Sequence, residues 1–97
     1  MPKVYVESPN SFRQGRATIA VINTAVALAA VSTPIQRVRV KALSGNTQAV
    51  YVGDNTVTSA NGFPLAANVE VELFVNDLAR VYINGGVVGE GIAYVAS

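Results

Sequence analysis

The chain has 97 residues, 51% of them hydrophobic and only 13% charged, with a formal net charge of +1 and no His, Cys or Trp. That length holds one domain core, and the missing residue types exclude disulfides, thiolate or imidazole metal ligands, and Ser-His or Cys-His nucleophile pairs. Residues 1–16 carry Lys3, Arg13 and Arg16 against Glu7, while the rest mixes four cations with five acids, too scattered for the basic stripe that tracks phosphates.

Residues 1–16 mix Pro2, Pro9, Gly15 and small polar residues with little periodicity. They predict an extended N-terminal arm after one short strand at 3–7, followed by a single domain at 17–97 with its boundary near Gly15. The β-branched run at 17–22 predicts the first strand of that domain. The Ala-rich stretch 24–32 places Val26, Leu28 and Ala30 at every second position before Pro34 closes it, which reads as a strand rather than two helical turns. At 36–43, Val38, Val40 and Ala42 alternate with Arg37, Arg39 and Lys41, the period of a half-buried strand. Strands are expected next at 49–52 and, as a short addition, at 56–58. At 69–75 the alternation returns, with Val69, Val71, Leu73 and Val75 on one face and Glu70 and Glu72 on the other. The last strands are expected at 79–84 and 91–96. Gly45-Asn46, Gly53-Asp54-Asn55, Asn61-Gly62 and Asn84-Gly85-Gly86 supply the reversals, and Pro34 and Pro64 fall outside the strands. The fold class is therefore all-β: a small antiparallel β-sandwich or barrel of about seven to eight short strands.

Few side chains suggest chemistry. Glu70 and Glu72 share a strand face about 7 Å apart, a spacing compatible with glycoside hydrolysis. They have no aromatic wall to raise a pKa, and a charge ladder against Arg37, Arg39 and Lys41 accounts for them better. The run from Gly85 to Gly91 leads into no helix and is followed by no Lys-Ser/Thr, so it reads as a hairpin tip rather than a phosphate loop. Asp54 and Asn55 fit a reversal, and Asp77 fits the cap of a short helical turn, better than calcium ligation. No catalytic residue, metal or cofactor is expected.

The four tyrosines share one setting, Val4-Tyr5-Val6, Val50-Tyr51-Val52, Val81-Tyr82-Ile83 and Ala93-Tyr94-Val95. In a strand each would face away from its aliphatic flanks. Tyr51, Tyr82 and Tyr94 are thus candidates for a protein interface or a sugar platform. Lys3, Arg13 and Arg16 are candidates for pairing with acidic groups on a partner. Apolar burial of about 140 kcal/mol against an ordering cost of about 145 kcal/mol leaves nothing in hand for a chain of this length, so burial against other copies is expected. The first residues lack a signal-peptide layout and no apolar run approaches the ~20 residues of a membrane span. Neither secretion nor membrane contact is expected, and the absence of Cys suits assembly in a reducing cytoplasm.

From about residue 17 onward one ordered series stands out: Thr24-Ala25-Val26-Ala27-Leu28, Ser32-Thr33-Pro34-Ile35-Gln36-Arg37-Val38, Val50-Tyr51-Val52-Gly53, then Thr56-Val57-Thr58-Ser59-Ala60-Asn61-Gly62-Phe63-Pro64-Leu65. It closes with Val71-Glu72-Leu73 and Asp77-Leu78-Ala79-Arg80-Val81-Tyr82-Ile83. In order and spacing this resembles a small β-module of virion structural proteins of tailed bacteriophages. The resemblance implies a non-enzymatic capsid decoration (minor capsid, cement) subunit. It further implies a homo-oligomer, a trimer, bound to the major capsid protein on the virion exterior after assembly in the host cytoplasm, without direct nucleic-acid contact. A module of fibre or tail proteins, or a carbohydrate-binding module using surface tyrosines, is the alternative.

Overall fold

The computed structural model describes residues 13–97. The strand expected at 3–7 and most of the arm lie outside them. Eight strands form in chain order: β1 (Arg13–Thr18), β2 (Val26–Ala27), β3 (Val38–Ala42), β4 (Val50–Gly53), β5 (Phe63–Leu65), β6 (Glu70–Leu73), β7 (Tyr82–Asn84) and β8 (Gly91–Ala96). They make two four-stranded sheets, ordered β1-β8-β3-β6 and β2-β7-β4-β5. Every pairing is antiparallel, as short connections allow. The protein is a β-sandwich.

Alternation decides which way the strands face. Val38, Val40 and Ala42 of β3 and Val50 and Val52 of β4 are buried between the sheets, while Arg39 and Lys41 are left in water. Burying each such valine stabilises the fold by roughly 1.5–3 kcal/mol relative to exposure. Ile83, Leu65 and Ile92 join them from β7, β5 and β8, and Ile19, Leu28, Ile35, Leu78 and Val81 from the connections. A one-residue slip of β3 would put Arg39 and Lys41 in that core, so the register is strongly specified.

Several expectations need correction. The first strand of the domain starts at Arg13, four residues before the expected domain start, because Arg13 to Thr18 pair along the whole of β8, from Ala96 to Gly91. Residues 13–16 are therefore sheet, not arm, and the strand expected at 17–22 ends at Thr18. At 24–32 only Val26 and Ala27 pair, against β7; Leu28 is buried as expected but Ala30 is exposed. No strand forms at 56–58. Pro64 lies inside β5, tolerated because β5 is an edge strand and needs no donor on its open side. The stretch 79–84 opens as a 3-10 turn, Leu78–Arg80, which Asp77 caps by accepting from the Ala79 amide, as its sequence position suggested. The glycine-rich run joins strands of different sheets, so it is a crossover rather than a hairpin tip. It is pinned where the Ile19 amide donates to the Glu90 carbonyl at 2.8 Å and the Gly89 amide to the Ile19 carbonyl at 2.9 Å.

Candidate partner interface

Lys3 lies outside the described residues, and the structure divides the other five candidates among three places: Arg13 with Tyr94, Tyr51 with Tyr82, and Arg16 apart. Arg13 and Arg16, odd and even along β1, point to opposite faces of an edge strand. Arg13 shares the face of Gly15 and Ala17 and lines a cleft of about 350 Å³ with Leu28, Ala29, Leu78 and Tyr94, where the two sheets part. Arg16 shares the outer, solvent face with Gln14 and Thr18.

Tyr94 faces away from its flanks as expected, but the side it faces is the core rather than an open surface. Its flanks Ala93 and Val95 face outward, and Tyr94 faces inward with Ile92 and Ala96, packed on the core. The residues two positions away decide the face, not the immediate neighbours. The ring covers Gly15, where an added Cβ would lie 2.7 Å from the Tyr94 hydroxyl oxygen, so any larger residue there has to displace the ring.

Tyr51 and Tyr82 do face outward, on the second sheet, and both are half-buried. Tyr82 lies between Ala27 and Gly53, and Tyr51 between Asn84 and Pro64. The loop that follows β4 folds onto this face. Val57 is 3% exposed, outside the main core, and the buried Asn84 Nδ2 donates to its carbonyl at 2.9 Å. What remains open beside Tyr82 is a shallow depression bordered by Asp54, Asn55, Ala79 and Arg80.

On the outer face of the first sheet, the expected charge ladder forms through Arg37 and Arg39, while Lys41, opposite Glu70 in register, makes no ion pair among the described residues. Arg39 Nε lies 3.4 Å from Glu70 Oε1 and Arg39 Nη2 lies 4.0 Å from Glu72 Oε1. Arg37 Nη1 lies 3.8 Å from Glu72 Oε2. These pairs are solvent-exposed, so each contributes at most about 1 kcal/mol and fixes register more than it adds stability. Both glutamates are thus held by guanidinium groups, Glu72 in an open groove that it lines with Arg37, Arg39, Val95 and Ser97.

The other acids are committed to loops. Asp77 Oδ1 accepts from the amides of Thr33 and Ala79, each at 2.9 Å, and Oδ2 accepts from the Ser32 hydroxyl at 2.7 Å. The Thr33 amide first, then the Ser32 hydroxyl and the Ala79 amide, hold this carboxyl below the ordinary aspartate range. The Thr47 hydroxyl, its amide and the Gln48 amide do the same for Glu90. The Thr56 hydroxyl and amide do it for Asp54.

One apolar open surface was not singled out from the sequence. Between β6 and the β4–β5 pair, a cleft of about 280 Å³ is lined by Val71, Leu73, Val75 and Val81, with Asp54 and Arg80 on its rim. Phe74 stands beside it 79% exposed and Phe63 56% exposed. A signal was present: Phe74 breaks the 69–75 alternation at a position where its outward neighbours are glutamates. Aromatic side chains left in water next to an apolar cleft mark a contact surface. Among the described residues no helix is long and apolar enough to cross a membrane. No family model, no curated protein and no solved structure matches the chain.

Proposed function

We propose that the chain is a non-enzymatic structural subunit that acts by docking, and that its setting is the exterior of a tailed-bacteriophage virion, as a capsid decoration protein. The observation that carries the docking part is the pair of exposed phenylalanines, Phe63 and Phe74, flanking an apolar cleft on a β-sandwich whose acids serve loops and ladders. The virion setting is supported by the ordered series of segments from residue 24 to residue 83.

The mechanism is mass action. Many copies bound to the major capsid protein, and to each other, stabilise the bound state by RT ln(1 + [L]/Kd), about 2.7 kcal/mol at a hundredfold excess over Kd. The added contacts raise the barrier to shell opening under internal pressure. Lys3 supplies a further cation for acidic groups on the shell.

Mixing the full chain with undecorated phage shells tests the reading. Co-sedimentation and greater heat resistance of the shells are the expected results, and no co-sedimentation removes it. Truncation belongs after residue 12, because residues 13–16 are part of β1 and their loss would damage the sheet. A second reading, a carbohydrate-binding module, draws on Tyr51 and Tyr82 sharing one outer face; glycan-array binding lost on Tyr82→Ala would favour it. Tyr94 drops out of that reading because it faces the core.

A further inference from the structure

We propose that copies of this chain join head to tail through the open edges of the first sheet, β1 of one copy pairing antiparallel with β6 of the next and Arg16 meeting Glu70 across the joint. This deepens the oligomer part of the proposed function and rests on it.

Sheet order leaves β1 and β6 as the two edges, each with one row of backbone donors and acceptors that no strand among the described residues pairs. The edges carry opposite charge. β1 holds Arg13 and Arg16 and no acid, whereas β6 holds Glu70 and Glu72 and no base. Pairing β6 with β6, or β1 with β1, sets like charges against each other; β1 with β6 sets opposite charges together. The occupant that fits each edge is therefore the other edge of a second copy.

Direction and register agree with this. Strands alternate in direction across the sheet, so β6 runs opposite to β1. A rotation about an axis parallel to the strands preserves those directions and makes the new joint antiparallel. It also keeps residues at their own height. Arg16 stands in one row with Ala93, Lys41 and Glu70, and Gln14 in the next with Val95, Arg39 and Glu72. The joint thus places Arg16 beside Glu70 of the next copy and Gln14 beside its Glu72, all on the outer face. Arg39 already neutralises part of the Glu70 charge at 3.4 Å, and Arg16 supplies a second cation from the other side.

The apolar parts lie at matching heights too. Leu73 shares a row with Val38, Ala96 and Arg13, and Phe74 follows it directly. At that same end, the β1 side opens the cleft of Arg13, Leu28, Ala29, Leu78 and Tyr94. The joint brings Phe74 towards its mouth and removes from water the most exposed aromatic ring among the described residues. A head-to-tail contact of this kind closes as a ring when its rotation divides a full turn. The trimer expected from the resemblance is one such closure.

The chain has no Cys, so single cysteines report contacts without ambiguity. Full-length R16C and E70C are made separately, mixed and mildly oxidised. The expected product is a disulfide between position 16 of one chain and position 70 of another, as adjacent cross-strand residues permit. Each variant alone is expected to stay uncrosslinked. In parallel, R16E weakens self-association by about tenfold or more, and R16E/E70R restores it. Circular dichroism of each variant confirms an intact fold. A disulfide dimer of R16C alone, or association unchanged in R16E, overturns the proposal. A ring that ignores undecorated shells overturns the virion reading and leaves this contact standing; a monomer that binds them overturns this contact alone.

Discussion

Asp77 shows how one side chain ties this fold together. Its two carboxylate oxygens serve Ser32, Thr33 and Ala79, joining the β2–β3 connection to the 3-10 turn some 45 residues later in sequence. Because its folded-state pKa is lowered, and those of Asp54 and Glu90 with it, the stabilisation is complete above the unfolded carboxylate range of about 4. It is lost as pH falls from there through the lower folded values. Thermal melting between pH 7 and pH 2 is therefore expected to drop below about pH 4. Asp77→Asn is expected to lower the melting temperature at neutral pH and to flatten part of that drop; parallel profiles for the two proteins would contradict the assignment. Ile83, fully buried between the sheets, is a different kind of residue. Ile83→Ala should cost about 2–5 kcal/mol in denaturant unfolding through lost transfer and a cavity. Phe74→Ser, at a side chain mostly in water, should change stability by no more than about 0.5 kcal/mol while weakening self-association. A large loss of stability would mean that Phe74 serves the monomer's own packing.

Among the elements, β3 and β6 were readable because each shows period 2 with its own apolar stripe, and β4 and β8 because each is an apolar run set off by turn residues. The ladder of Arg37 and Arg39 against Glu70 and Glu72 followed from those stripes once β3 and β6 were neighbours. β2 and β5, two and three residues long, have no period to show. Their existence depends on the edges of β7 and β4, which are tertiary facts. The glycine-rich crossover looks the same in sequence whether its flanking strands pair or part. β1 was misplaced because backbone pairing with β8 extends over Arg13 to Arg16, whose polar side chains carry no strand signal on an edge. Gly15 gives this strand a test of its own. Gly15→Val inserts bulk under the Tyr94 ring and should destabilise by about 1–3 kcal/mol. Amide exchange should quicken along β1 and much less along β4; uniform loosening of both sheets would show that Tyr94 does not hold β1 down.

For the whole molecule, low charge and missing catalytic residue types pointed towards association. The surfaces that serve it could not be read from the chain. Of the five candidates among the described residues, the structure brings only Arg13 and Tyr94 to one cleft, and it turns Tyr94 inward. Phe74 left a trace in the broken 69–75 alternation, but its partnership with Phe63 became visible only when β5 and β6 proved to be edges of two different sheets lying on the same side of the sandwich. Arg16 and Glu70 acquire a joint meaning only through four strands of register. An assembly held by an exposed ion pair and an aromatic contact should also weaken with salt, though only in part, because the apolar share is insensitive to screening. The most direct measurement is sedimentation equilibrium of the full chain over a wide concentration range at low salt. The expected species is a closed oligomer whose mass is a small multiple of the chain and which R16E shifts towards monomer. A single monomeric species at every concentration, unchanged by R16E, would contradict it.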